Sequence, residues 1–201
     1  LGTGVVEGLT EAGIALSCAF ETAVPSAPRV DLLLAIPRPK VLRRLWAQLA
    51  ALGVGRIILT NAEKVERPYF DTHYLEASVY RPLLIEGLQQ ARDTRVPGVS
   101  IHRRLKVLVE DELAALSDAR VRLVADPSAA QSLASAASRA TGERVLLAVG
   151  PEGGWNAFEL RLLEAHGFVT VGLGSRILRT DTACVSLLAV LHASLDEARV
   201  R

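Results

Sequence analysis

From residue 30 onward the chain alternates between two hydrophobic periodicities, and this alternation constrains its fold more than any other feature. Residues 30–36 are apolar except for Asp31, the pattern of a strand covered on both faces. Residues 39–52 then place Val41, Leu42, Leu45, Trp46, Leu49 and Leu52 at helical spacing, and Gly53 supplies a stop. Residues 56–60 read as the next strand. A second helix is expected over 73–91, bent or interrupted near Pro82, and strands near 98–102 and 120–125 flank a helix over 109–116. Residues 144–149 form a further strand. Asn156 caps a helix running to His166, with Glu159 completing a capping box and Gly167 ending it. A strand over 168–173, a loop over 174–182 and an apolar helix over 183–198 close the chain. Strands that alternate with helices predict a parallel α/β sheet.

Residues 1–28 break this rhythm. Residues 1–10 and 13–20 alternate loosely between Gly2, Gly4, Gly8 and Gly13, as two short strands and a turn would, and Pro25-Ser26-Ala27-Pro28 resembles a linker. Such a piece is too small to hold a core of its own. It is either the stump of a small β domain or an edge hairpin, which divides the chain into 1–28 and 29–201. No methionine occurs, not even an initiator, so the native N-terminus is expected upstream.

Composition narrows the function. With 50% hydrophobic and 22% charged residues, a globally disordered chain is excluded. A formal net charge of +1 excludes a uniformly basic nucleic-acid binder but leaves room for a local basic patch. Aromatic residues at 4% argue against rows of base-stacking rings. Cys18 and Cys184 make no disulfide framework and read as buried, reduced thiols of a cytoplasmic protein. Neither a membrane span nor a secretory signal is visible.

Familiar nucleotide and hydrolase signatures are missing: there is no phosphate-binding G-x-x-x-x-G-K-[ST] and no G-x-S-x-G elbow. His73, His102, His166 and His192 lack metal-ligand spacing, so no metal site is expected. What stands out is Gly150-Pro151-Glu152-Gly153-Gly154, directly after the apolar strand ending at Val149. Ligands of α/β sheets sit at the carboxyl ends of strands, and glycines there let the backbone approach them. Alone, the pentapeptide also suits a plain strand-to-helix turn. A second segment, Leu173-Gly174-Ser175-Arg176-Ile177-Leu178-Arg179-Thr180-Asp181-Thr182-Ala183, again follows a strand and precedes a helix. On adjacent strands the two loops would converge on one crevice.

The run L-L-A-V-G-P-E-G-G-W, followed by G-F and then V-G-L-G-S-R-I-L-R-T-D-T-A, resembles the bacterial 16S ribosomal RNA uridine-N3 methyltransferases of the SPOUT superfamily. The resemblance is dense over 144–190 and looser over 30–143. It implies a parallel α/β domain whose C-terminal segment threads a deep trefoil knot, with S-adenosylmethionine as cofactor. It also implies a homodimer through the knot region and a ribosomal RNA, or assembled small subunit, as partner. Family members carry an N-terminal PUA-like β-barrel, of which 1–28 would be a remnant.

Carried over residue by residue, the resemblance assigns Val149, Gly150, Pro151, Glu152, Gly153 and Gly154 to the first cofactor loop. Leu173, Gly174, Ile177, Leu178, Arg179 and Thr182 fall in the second. The family usually has glutamate where this chain has Asp181. For the chemistry, Arg179 or Arg176 would stabilise the uracil anion left when N3 loses its proton, and Asp181 would orient that arginine or assist proton removal. Arg38, Lys40, Arg43 and Arg44, with Arg92 and Arg95, would contact RNA phosphates. Two alternatives stay open: a SPOUT methyltransferase with another RNA target, ribose O2′ included, or a dimeric RNA-binding module without catalysis.

Overall fold

The computed structural model describes residues 1–22, 26–140 and 142–200, the last five by backbone alone. β3 (Val30–Ala35) is buried at every residue. Such a strand is stable only inside a sheet whose two faces are both covered. It pairs in parallel with β4 (Val54–Thr60) on one side and β7 (Val145–Val149) on the other. With β5 (Gly98–His102), β6 (Val121–Ala125) and β8 (Phe168–Val171) they build one six-stranded sheet in the order β5-β4-β3-β7-β6-β8. Every pairing in it is parallel.

Three long helices follow strands as the periodicity predicts. α1 (Pro39–Ala51) starts on a proline, which needs no N–H partner there, and buries Leu42, Leu45, Trp46 and Leu49. α2 (Ala77–Ala91) continues through Pro82, so of the expected bend or interruption the interruption does not occur. The residues before it form short 3-10 turns, Arg67–Asp71 and His73–Leu75, so the helix begins later than 73. α3 (Leu105–Val107), a π-type turn over Leu108–Glu112 and α4 (Leu113–Leu116) make one irregular helical stretch where 109–116 was expected. Sequence periodicity does not reveal α5 (Leu133–Ala137), which is only five residues long. α6 (Ala157–Ala165) has the expected capping box between Asn156 and Glu159. α7 (Thr180–Val200) begins before residue 183, because Ala183 N–H already bonds Arg179 O at 2.7 Å.

Two findings correct the sequence reading. β7 and β8 are not neighbours, since β6 pairs with both and lies between them. The connection through α6 therefore skips a strand, and parallel crossovers leave no local sequence mark of such order. Cys18 is exposed rather than buried, whereas Cys184 is fully buried. Cys18 lies in the hairpin of β1 (Gly2–Thr10) and β2 (Gly13–Phe20), where every residue except Gly8 is exposed and no core surrounds the thiol. Burial, reinforced by the charge of Asp181, pushes the Cys184 thiol up to about 12.

At the amino ends of the strands, buried Asp31 receives Arg144 Nη2 at 2.7 Å and Ser117 Oγ at 2.8 Å. Arg144 Nη1 also donates to Pro28 O at 2.8 Å, tying the start of β3 to β7. The opposite, carboxyl ends are left to the loops. Among the described residues no helix is long and apolar enough to cross a membrane.

Two expectations can be checked directly. A Cβ at Gly87 in α2 would lie 2.0 Å from Ala47 O of α1, so the two backbones meet there. Gly87→Ala should lower the unfolding free energy by about 2 kcal/mol despite alanine's better helix propensity, read by urea unfolding. An unchanged midpoint would show that the helices are free to part. A thiol reagent at pH 8 should modify Cys18 in the native protein and reach Cys184 only in denaturant.

Candidate active site

The site grows from the carboxyl end of β7. Fully buried Val145–Val149 delivers Gly150 into a turn closed by Gly154 N–H on Pro151 O at 2.8 Å. Gly154 has φ +69, the left-handed backbone that glycine adopts without cost. A Cβ on Gly150 would stand 3.1–3.2 Å from the backbone and ring of Trp155, so the indole covers the bare α-carbon.

Three contacts fix this loop from neighbouring strands. Glu152 Oε1 accepts Arg38 N–H at 3.0 Å, from the start of α1. Lys64 Nζ donates to Gly153 O at 2.7 Å, and a Cβ on Gly153 would meet the Lys64 stem at 2.7 Å. Glu159 is 4% exposed; its Oε1 accepts Glu63 N–H at 2.7 Å and its Oε2 accepts Asn156 N–H at 2.8 Å. One carboxylate thus caps α6 and anchors the segment after β4.

The second loop leaves β8 through a tight place. Gly172 N–H bonds Gln131 O at 2.9 Å, and Gly172 O accepts Leu133 N–H at 3.0 Å. A Cβ on Gly172 would stand 3.2 Å from Asp126 O and 3.4 Å from Ala129 O, so this strip of chain lies against the 126–133 loop. Beyond it Gly174 takes φ +113. Ser175, Arg176 and Arg179 are exposed, Ile177 is 86% exposed, Leu178 is half-buried and Thr180 is buried.

The two loops and the loop after β6 enclose two adjoining cavities. The larger, about 350 Å³, is walled by Val149 to Trp155, by Ala125, Asp126 and Pro127, and by Ile177, Leu178, Thr180 and Ala183. The smaller, about 70 Å³, is lined on one side by Val171 to Gly174 and Arg176. Asp126, Pro127, Leu178 and Ala183 border both. The sequence reading missed Asp126, Pro127, Trp155 and Ala183 as wall residues and Lys64 as a support. An Asp-Pro pair directly after a recognised strand was the available signal for the first two.

The structure distributes the remaining candidates unevenly. Arg179, Asp181 and Thr182 line neither cavity, although they flank the turn that does. Asp181 pairs with Arg44 instead of Arg176 or Arg179: Arg44 Nη2 donates to Asp181 Oδ2 at 2.7 Å, and Thr182 N–H bonds Oδ1 at 3.0 Å. The Arg44 hydrogen bond holds the Asp181 carboxyl below its ordinary value of 3.8, against the opposing effect of burial. The Thr182 N–H and the charges of Arg44 and Arg179 add to the lowering. Arg38, Lys40 and Arg43 are exposed around the start of α1, beside the site. Arg92 and Arg95 precede the outer strand β5 and line neither cavity. Among the described residues no three His, Cys, Asp or Glu side chains group as a metal site.

The sequence pattern of the RNA methyltransferase domain matches residues 25–192, most of the chain and both site loops. The chain belongs to this RNA methyltransferase domain family. A Treponema pallidum protein, ribosomal RNA small subunit methyltransferase E, is 33% identical over 167 residues, covering 82% of this chain and 62% of the relative. A Borreliella burgdorferi relative, ribosomal RNA small subunit methyltransferase E 1, is 23% identical over 167 residues, or 83% and 68% of the two chains. The methyltransferase-domain chain thus matches a little over three-fifths of the length of the first of these relatives. The crystal structure of a ribosomal RNA small subunit methyltransferase E from Neisseria gonorrhoeae, bound to S-adenosyl methionine, superposes with a TM-score of 0.77 at 22% identity. That match covers 96% of this chain and 78% of the other, and shows a shared fold.

The Arg44–Asp181 pair has a pH signature. Because the folded carboxyl titrates below its unfolded value, its stabilisation is complete above about pH 5 and disappears as pH falls through the folded pKa. Arg44 is half-exposed, so Arg44→Met should cost only about 0.5 kcal/mol at pH 7, with the difference vanishing in strong acid. A carboxyl-carbon NMR titration should show the Asp181 midpoint moving upward in the variant. A midpoint that stays put would assign the lowering to another group.

Proposed function

We propose that this chain is an S-adenosylmethionine-dependent methyltransferase acting on N3 of a uridine in the RNA of the small ribosomal subunit. The observation that carries this reading is the cavity of about 350 Å³ where the β7, β6 and β8 loops of a family domain meet. Its walls suit the group. Gly154 presents bare backbone, with nothing within 4 Å of where its Cβ would stand, while Pro151, Trp155, Leu178 and Ala183 supply apolar surface for a neutral purine ring. S-adenosylmethionine, when bound, supplies an activated methyl group on a sulfonium. The Treponema and Neisseria proteins, named as ribosomal RNA small subunit methyltransferases, support the RNA substrate.

In this reading the residues of the chain align the reacting groups and hold charge. The supports from Arg38 N–H, Lys64 and Glu159 keep the 150–156 loop in one position, which favours in-line approach of the acceptor nitrogen. Arg179 and Arg176, exposed beside the cavity, stabilise the negative charge on the uracil oxygens as N3 is deprotonated. Asp181 is ionised at neutral pH and its lowered pKa makes it a weak base. Its work is to hold Arg44 and the first turn of α7. Arg38, Lys40, Arg43 and Arg44 bind phosphate at the start of α1, with Arg92 and Arg95 as a separate basic group.

Close packing of Gly172 against the 126–133 loop supports threading of the C-terminal segment as a deep trefoil knot. Exposed Ile177 and Leu173 support a homodimer through that region. The apolar, exposed β1–β2 hairpin supports a remnant of a PUA-like β-barrel and a domain division at residue 28, and a ribosomal substrate supports a cytoplasmic location.

Incubation with undermethylated small subunits and labelled cofactor, followed by mass-spectrometric mapping, tests the proposal. Methylation at uridine N3 is expected, and Arg179→Ala should lose about 100-fold in turnover with unchanged melting. Methyl transfer to ribose O2′ or to no nucleotide would sink the uridine-N3 assignment. Near-normal turnover by the variant would remove Arg179 from the chemistry.

A further inference from the structure

The boundary shared by the two cavities carries one charged group. Asp126, the first residue after β6, borders both cavities, and the other three shared wall residues, Pro127, Leu178 and Ala183, are apolar. Its carboxylate is half committed. Oδ1 accepts both the backbone N–H of Ser128, at 2.7 Å, and the Ser128 hydroxyl, at 2.5 Å. Oδ2 has no hydrogen-bond or ion-pair partner among the described residues. The other acid on the larger cavity, Glu152, already spends an oxygen on Arg38 N–H. An acid fixed through one oxygen, with the second unused, is oriented to accept hydrogen bonds from a neutral donor pair.

We infer that Asp126 is a specificity-determining residue that accepts a hydrogen bond from the ribose hydroxyls of the bound nucleoside. The inference rests on the reading that these cavities take S-adenosylmethionine. In a nucleoside with a 5′ substituent the ribose is the joint between the base and that substituent, and a ligand reaching across both cavities would place that joint at their shared boundary. A vicinal diol offers two O–H donors, and a hydrogen bond to an ionised carboxylate is roughly twice as strong as a neutral one. The amino-acid end of the ligand lies away from this joint. Asp126 therefore discriminates for a ribonucleoside with free 2′ and 3′ hydroxyls, whatever its 5′ group.

Calorimetry separates the possibilities with three probes: S-adenosylmethionine, 5′-methylthioadenosine and the 2′,3′-dideoxy form of the latter. Asp126→Asn keeps an oxygen for Ser128 and turns the free oxygen into an amide donor. It should bind S-adenosylmethionine and 5′-methylthioadenosine about tenfold more weakly than the wild type does, and bind the dideoxy form equally well. Wild type should itself lose about tenfold on going to the dideoxy form, a comparison that stands even if the variant does not fold. Equal wild-type affinity with and without the hydroxyls overturns the inference. So does a variant that weakens all three probes alike, or S-adenosylmethionine alone, the latter marking a contact to the sulfonium or the amino-acid end. A folded wild type that binds none of the probes overturns the cofactor reading, and the inference with it.

Discussion

β6 hydrogen-bonds along both edges, to β7 through Leu123↔Leu147 and to β8 through Leu123↔Val169, and the site depends on that double pairing. A strand inserted between two others brings its own loop into the space where theirs meet. The floor of the cavity is therefore made by Ala125, Asp126 and Pro127, which neither glycine loop could provide. The same insertion forces the chain leaving β8 to pass close to the 126–133 loop, where Gly172 is bonded on both its backbone groups. A Cβ at Gly172 would stand 3.2 Å from Asp126 O, tighter than an ordinary contact, so the approach favours glycine.

Charge in this molecule is arranged locally rather than summed. A net charge of +1 gives no hint of Arg38, Lys40, Arg43 and Arg44 gathered around the start of one helix. Nor does it reveal that acids hold the site loops: Glu152 and Glu159 secure one through backbone N–H groups, and Asp181 secures the other through Arg44. These acids accept hydrogen bonds at defined atoms, and each links two elements that are far apart in sequence. The buried Asp31–Arg144 pair does the same at the opposite ends of the strands.

Elements that depend on local chemistry could be read from the sequence. The 30–36 run is a buried strand because seven residues contain one polar group, and Asn156 with Glu159 predicts a helix start that the hydrogen bonds reproduce. Features that depend on distant parts of the chain could not. Strand order is set by which edge a crossover reaches, so β6 between β7 and β8 has no sequence signature. The start of α7 within a polar Arg-Thr-Asp-Thr segment reads as loop until Arg44 is placed beside Asp181. Of the site, both glycine loops were legible, whereas Lys64 and Glu63 join it only through folding.

The bonds from Glu63 and Lys64 to the segment 153–159 carry a further meaning for motion. Local opening in proteins proceeds in contiguous cooperative units, and groups bonded to one another open together. The turn after β4 and the loop after β7 are separated by some ninety residues yet share two bonds, Glu63 N–H to the buried Glu159 carboxylate and Lys64 Nζ to Gly153 O. Bonded in this way, they are expected to open together. Loosening either one loosens the other, so the order of the glycine loop is underwritten by a stretch of chain that carries none of its sequence motif.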